Sequence, residues 1–139
     1  MVHIGYLLLT LVSLLILDYL YLGVFGASEK LYIPIHRRIQ KSKIKTRTYS
    51  VILSYLLSAF GIYYFVVKKY ENSNIVIEKI IKRGVLFGFV VNGIYNFTNH
   101  SLFEDYTLRL SIQDTVWGAI VTPLTALSSL YLMDLIETN

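Results

Sequence analysis

The residues of this chain whose side chains could do chemistry include two carboxylates within or beside long apolar stretches. Asp18 interrupts an apolar run that extends over residues 4–25, and Asp114 directly precedes another apolar run. An ionised carboxylate inside a membrane-spanning helix costs on the order of 3 kcal/mol even on lenient insertion scales, so Asp18 needs a compensating partner. It is therefore either a ligand-binding or acid–base group, or an interhelical hydrogen-bond partner for Asn96 or Tyr95.

A stripe of polar side chains occupies the third apolar stretch. Asn92, Tyr95, Asn96 and Asn99 follow i, i+3, i+4, i+7 spacing, which places all four on one face of a helix. Such a stripe has two possible uses. Amide side chains join neighbouring helices in lipid for roughly 0.6 to 2 kcal/mol each, or they line a pocket for a lipid headgroup or a small polar ligand.

The start of the fourth apolar stretch adds an aromatic residue to these polar groups. Asp114 is placed to cap a helix that begins at the next residue, a role worth about 1 kcal/mol. Trp117 follows one turn later and is of the type that concentrates in the headgroup region of a bilayer. Each of these residues has an ordinary structural explanation. A binding site is favoured because two carboxylates, an amide stripe and a tryptophan are expected at the same level of the membrane.

The sequence lacks the usual patterns of metal and nucleophile sites. Asp18, Asp114 and His100 could offer three hard ligands, but the chain has no HxxxH or ExxH spacing. It also has no nucleophile elbow and no phosphate-binding glycine loop. We therefore predict no metal and no cofactor, and we assign no catalytic residues.

The composition indicates the kind of element that must position these residues. The chain has 139 residues, enough for one domain over residues 1–139, with 55% hydrophobic and only 16% charged residues, whereas a soluble domain carries about 25% charge. Apolar stretches near 20 residues long cross a bilayer as helices. We predict an all-α, polytopic integral membrane protein with four transmembrane helices in a bundle. The approximate spans are 4–25, 49–67, 78–98 and 115–133.

The helix count alone determines which polar residues share a level in the membrane. The first and third spans run in the same direction, so Asp18 lies at the level of Asn96 and Asn99. Asp114 begins the fourth span on that same side. The sequence therefore predicts a polar cluster at one membrane interface, assembled from residues far apart in the chain.

A basic loop, residues 26–48, adjoins this cluster. It carries seven Lys or Arg residues and one Glu, and we expect it either to contact an anionic membrane surface or to be a solvated loop that sets topology. The residues predicted to contact the membrane surface are Arg37, Arg38, Lys41, Lys43 and Lys45. The first and third loops hold eight Lys or Arg and the opposite side five, which favours a cytoplasmic location for loop 26–48.

Three short segments together resemble a known family, the predicted membrane proteins called domain of unknown function 2177. They are Leu17-Asp18-Tyr19-Leu20-Tyr21-Leu22-Gly23, Tyr95-Asn96-Phe97-Thr98-Asn99 and Asp114-Thr115-Val116-Trp117-Gly118. The resemblance extends over nearly the whole chain and implies four membrane helices, without implying an activity. The residues that it marks are Asp18, Leu22, Gly23, Tyr95, Thr98, Asn99, Asp114, Trp117 and Gly118.

These observations lead to one functional hypothesis and two alternatives. The first is a protein that binds or positions a lipid headgroup or small polar ligand. The alternatives are a membrane-embedded lipid-modifying enzyme and a structural membrane component of a larger assembly such as a virion. The expected partners are membrane lipids and not nucleic acid, with a homo-oligomer or another membrane protein as further options. The residues of the predicted ligand site are Asp18, Tyr95, Asn96, Thr98, Asn99, Asp114 and Trp117.

Overall fold

Five α-helices account for most of the computed structural model, which describes residues 2–71 and 76–138. The helices are α1 (Val2–Tyr19), α2 (Ile33–Gln40), α3 (Thr48–Ile62), α4 (Ile77–Leu102) and α5 (Leu108–Thr138). Within the described ranges there is no β-strand. The all-α prediction is therefore confirmed for that part of the chain.

Two of these helices are extended by turns of wider or tighter helix. A π-helical segment, Leu20–Val24, continues α1. The α3 helix continues through a π-helical segment, Tyr63–Val67, and a short 3₁₀ turn, Lys68–Tyr70. These extensions lengthen both helices to the width of a bilayer without a break in the chain's direction.

Three helical stretches are long and apolar enough to cross a membrane: His3–Val24, Thr48–Tyr70 and Leu108–Thr138. They correspond to the first, second and fourth predicted spans. The α4 helix is not among them, because four charged residues lie in its first two turns and several asparagines in its second half. The structure thus supports three of the four predicted spans by length and composition.

The basic loop predicted over residues 26–48 contains helical structure over much of its length. A π-helical segment, Ser28–Tyr32, leads directly into α2, and within residues 26–48 only Gly26 and residues 41–47 lack helical structure. Pro34 lies in the first turn of α2, where its missing N–H costs no hydrogen bond. Leu31 and Ile35 are buried, so this segment packs against the bundle by an apolar face that its high charge obscured.

The helices α4 and α5 form the closest helix pair, and they run antiparallel. A Cβ atom added to Gly84 would lie 2.6 Å from Pro123 Cα, and one added to Gly88 would overlap the Gly118 carbonyl. Since the helix axes approach this closely only where side chains are absent, small residues determine how the pair packs.

The α1 helix runs antiparallel to α5 on another side of that pair. Thr10 Oγ1 donates a hydrogen bond of 2.9 Å to Ser129 Oγ, and both residues are buried. The ring of His3, near the start of α1, lies 2.6 Å from Glu71 beyond the end of α3. The α1, α3, α4 and α5 helices therefore alternate in direction along the chain.

The outer surface of this bundle is apolar. Large hydrophobic side chains on every long helix are exposed, among them Leu8, Leu57, Leu86 and Leu124. A soluble domain rarely exposes so continuous an apolar surface, whereas lipid solvates it well.

Candidate functional site

The predicted polar residues come together where α5 begins its passage through the bundle. Asp114 is the centre of one group, because Tyr32 donates its phenolic hydroxyl to Oδ1 and Asn96 Nδ2 donates to Oδ2 over 2.5 Å. The expected capping role of Asp114 is wrong, since α5 begins at Leu108 and Asp114 lies well inside it. Its carboxylate instead accepts hydrogen bonds from side chains of other helical segments.

Asn96 connects Asp114 to the rest of the protein and is completely buried. Its Nδ2 also donates to the Asn92 carbonyl at 2.8 Å, and its Oδ1 accepts the Tyr106 hydroxyl at 2.6 Å. With these bonds the amide has no donor or acceptor group left unpaired. Asn96 therefore organises the site, and it has no free group for a ligand.

Asp18 belongs to a second group beside the first. Its Oδ1 accepts the Trp117 indole N–H at 2.8 Å, and the Tyr55 hydroxyl also bonds to this carboxylate. Trp117 stacks on Tyr21, with ring centroids 4.1 Å apart and planes 13° from parallel. The partners of Asp18 are thus an indole and a phenol, where the structural alternative expected Asn96 or Tyr95.

The remaining predicted site residues lie apart from these bonds. Tyr95 is 57% exposed, Thr98 is exposed and Asn99 is half-buried. Asn96 is buried whereas the adjacent Tyr95 is exposed. The residues of the polar stripe therefore do not all face the same neighbouring helix. The structure therefore joins Asp18, Asp114 and Trp117 around a common space and leaves these three residues outside it.

Two tyrosines that sequence reasoning did not select complete the hydrogen bonds. Tyr32 is supplied by the π-helical segment that precedes α2, and Tyr106 by the short connection between α4 and α5. Their main-chain carbonyls accept hydrogen bonds from the Nδ1 atoms of His36, at 2.7 Å, and His100, at 2.6 Å. For Tyr32, the available signal was its i, i+4 spacing from His36 on either side of the buried Ile35.

Burial raises the pKa of the Tyr32 phenol above its ordinary value, and the adjacent Asp114 carboxylate raises this pKa further. Burial also raises the pKa of Tyr106. Both phenols consequently stay protonated over the physiological range. Each remains able to donate its hydrogen bond, Tyr32 to Asp114 and Tyr106 to Asn96.

A cavity of about 540 Å³ lies between α1, α3, α4 and α5. Asp18, Asp114 and Trp117 all line it. Its other polar lining residues are Ser28, Tyr32, Ser54, Tyr55, Ser58, Asn92 and Thr122. No Lys, Arg or His is among the lining residues, and the described part of the chain holds no group of three metal-ligating residues.

The α3 wall of this cavity reaches the outer surface of the bundle. Ser54, Leu57 and Ser58 line the cavity and are exposed as well. Deeper lining residues, such as Leu14 and Val121, are in contrast buried. The cavity thus extends from the protein's lipid-facing side into the helix bundle.

The fold defines a class of protein: an all-helical membrane protein with several helices long and apolar enough to span a bilayer. The model of the family described as predicted membrane protein (DUF2177) matches residues 3–131, and the chain belongs to this family. That range includes all three segments on which the resemblance was based, so the family assignment is confirmed. Comparison with curated proteins and with solved structures gives no match.

Proposed function

We propose that this protein binds or positions a lipid headgroup or a small polar ligand in the cavity between its four long helices. One observation carries the proposal: Asp18 and Asp114 both line the same cavity, and Trp117 lies beside them. Pockets of this size with an apolar wall and a few convergent polar groups are typical ligand sites. The grouping of Asp18, Asp114 and Trp117 suits a ligand with a polar head.

The shape of the cavity favours lipid over a water-soluble ligand. Its polar end lies at Ser28 and Tyr32, next to the exposed basic segment, and its apolar end reaches Ile62 and Phe87. A lipid presents the same order of groups, from headgroup to acyl chain, at the same depths. The exposed α3 wall provides a route from the bilayer.

We further propose that α4 is the fourth membrane span. At 26 residues it is about 39 Å long, and it is packed along α5 by Gly84 and Gly88. Its outer face carries apolar side chains such as Leu86 and Phe89. Lys82 and Arg83 are exposed at its first turns, where long basic side chains reach the interface.

The basic residues of the α2 segment suit the surface of an anionic leaflet. Arg37 and Arg38 lie in the last turn of α2, and Lys41, Lys43 and Lys45 follow it; all five are exposed. Each basic residue near such a surface contributes about 1 kcal/mol. We place this segment on the cytoplasmic side, in keeping with the distribution of basic residues.

Native mass spectrometry of the detergent-purified protein tests the proposed function. We expect the wild type to retain a lipid or a small molecule, and Asp18→Asn and Asp114→Asn to lose it. Asp134→Asn is the matched control, because Asp134 is exposed outside the cavity. Absence of any bound molecule from the wild type, with both cavity variants merely less stable, would mean that the polar cluster only joins helices.

A further inference from the structure

Within residues 2–71 and 76–138, no positively charged side chain bonds to the carboxylates of the cavity. The groups that bond to Asp18 and Asp114 are the indole of Trp117, the amide of Asn96 and phenols, and all of these are neutral. The two ion pairs of the described chain are His3 with Glu71 and Lys82 with Glu78, neither of which involves these carboxylates.

Two carboxylates that line one cavity attract positive charge where they are partly screened from water. A phosphate group would meet repulsion in the same place. The complementary ligand is therefore a cation, which narrows the choice among lipid headgroups.

The size and the lining of the cavity indicate what kind of cation fits. A water molecule occupies about 30 Å³ in the liquid, so a cavity of about 540 Å³ is far larger than a bare metal ion requires. Aromatic residues at its polar end, Trp117 and Tyr55, can contact an ammonium group by their ring faces. Leu14, Phe87 and Val121 form an apolar wall that suits a hydrocarbon chain.

We propose that the cavity selects a positively charged ammonium group, held between Asp18 and Asp114 and carried by an amine-bearing lipid whose chain lies along the apolar wall. This inference rests on the proposed function and specifies its ligand. An amine lipid reaches the site from the bilayer past Ser54 and Ser58. A free amine of the same chemistry is the other source, and the experiment separates the two.

The fluorescence of Trp117 provides a direct measurement, because it is the one tryptophan in the sequence and lines the cavity. Detergent-solubilised protein is titrated with phosphatidylethanolamine, phosphatidylcholine and phosphatidylglycerol of identical acyl chains. Ethanolamine is titrated separately, alone and as a competitor. We expect both amine lipids to bind at least about tenfold more tightly than phosphatidylglycerol.

Two variants test whether the carboxylates cause this preference. Asp18→Asn should reduce the preference to less than about threefold, whereas Asp134→Asn should leave it unchanged. If Asp18→Asn does not fold, Ser58→Lys is informative, because Ser58 is exposed at the opening and tolerates a longer side chain. The introduced ammonium should compete for the carboxylates and abolish the preference.

The outcomes separate this inference from the proposed function. Equal or tighter binding of phosphatidylglycerol would overturn the ammonium proposal and leave lipid binding intact. No fluorescence response to any lipid or to ethanolamine would overturn both. A response to ethanolamine that no lipid reproduces would keep the ammonium site and reject its lipid source.

Discussion

At the scale of single residues, Asn96 is the group on which the polar cluster depends. It bonds to Asp114 from α5, to Tyr106 from the connection and to the main chain of its own helix. Removal of this fully buried amide takes one hydrogen bond away from each of these partners. Asn96 therefore connects the helices at the polar cluster, whereas the carboxylates of Asp18 and Asp114 line the cavity.

We expect Asn96→Ala to lower the free energy of unfolding by about 1 to 3 kcal/mol, since it leaves buried polar groups unpaired. Asn99→Ala, one turn along the same helix, is the control, and its change should stay within about 0.5 kcal/mol because Asn99 is only half-buried. Thermal unfolding in detergent measures both. Equal losses for the two variants would show that the Asn96 bonds are not responsible.

The raised pKa of Tyr32 predicts a dependence of stability on alkaline pH. The unfolded phenol releases its proton near the ordinary value of 10.0, whereas the folded phenol keeps its proton to higher pH. Its contribution is complete below that value and is lost as pH rises towards the folded pKa. Wild-type stability should therefore fall between about pH 10 and about pH 11.

Tyr32→Phe should start from a lower stability at neutral pH, because Asp114 loses a donor, and then fall less steeply over the same pH interval. Unfolding midpoints measured across that interval provide the comparison. Parallel pH curves for wild type and variant would rule out Tyr32 as the source.

At the scale of helices, the contact between α4 and α5 depends on missing side chains. A Cβ at Gly88 would overlap the main chain at Gly118, and a helix backbone cannot move aside as a flexible side chain can. This contact also forms one wall of the cavity, since Gly88 and Gly118 both line it.

Gly88→Ala should therefore destabilise the protein by about 1 to 3 kcal/mol and weaken ligand retention through separation of the two helices. Gly93→Ala is a matched control, because its added Cβ would meet only Thr115 Cγ2, at an ordinary distance of 3.6 Å. Unfolding in detergent and native mass spectrometry report the two effects. A tolerated Gly88→Ala, as stable as Gly93→Ala, would contradict the close helix contact.

At the scale of the whole molecule, the side of the membrane on which each connection lies shows whether the chain crosses the bilayer four times or three times. The sequence contains no cysteine, so single cysteines can be introduced without background. Lys43→Cys, Glu104→Cys and Glu137→Cys each lie at an exposed position in a different connection or terminus.

If α4 crosses the bilayer, positions 43 and 104 lie on one side and position 137 on the other. A membrane-impermeant maleimide applied to intact cells should then label Glu137→Cys alone, given a cytoplasmic basic segment. Labelling of Glu104→Cys together with protection of the other two would show that α4 does not cross. Permeabilised cells, in which all three should react, provide the control.

The sequence by itself determined the long helices and the approximate depth of the polar residues in the membrane. Apolar stretches of bilayer length predicted the long helices, because a chain in lipid must satisfy its backbone hydrogen bonds within each helix. Alternation of direction then placed Asp18, Asn96 and Asp114 at one end. The family motifs pointed to the same residues.

Only the tertiary structure decided which faces meet, and hence which residues form the site. In a membrane bundle the lipid-facing and core-facing side chains are both apolar, so hydrophobic periodicity does not distinguish them. Tyr32 and Tyr106 joined the site, and Tyr95 was left on the surface, because glycine contacts and long-range hydrogen bonds set the helix rotations. How well segments distant in the sequence fit against each other cannot be read from the spacing of residues within one segment.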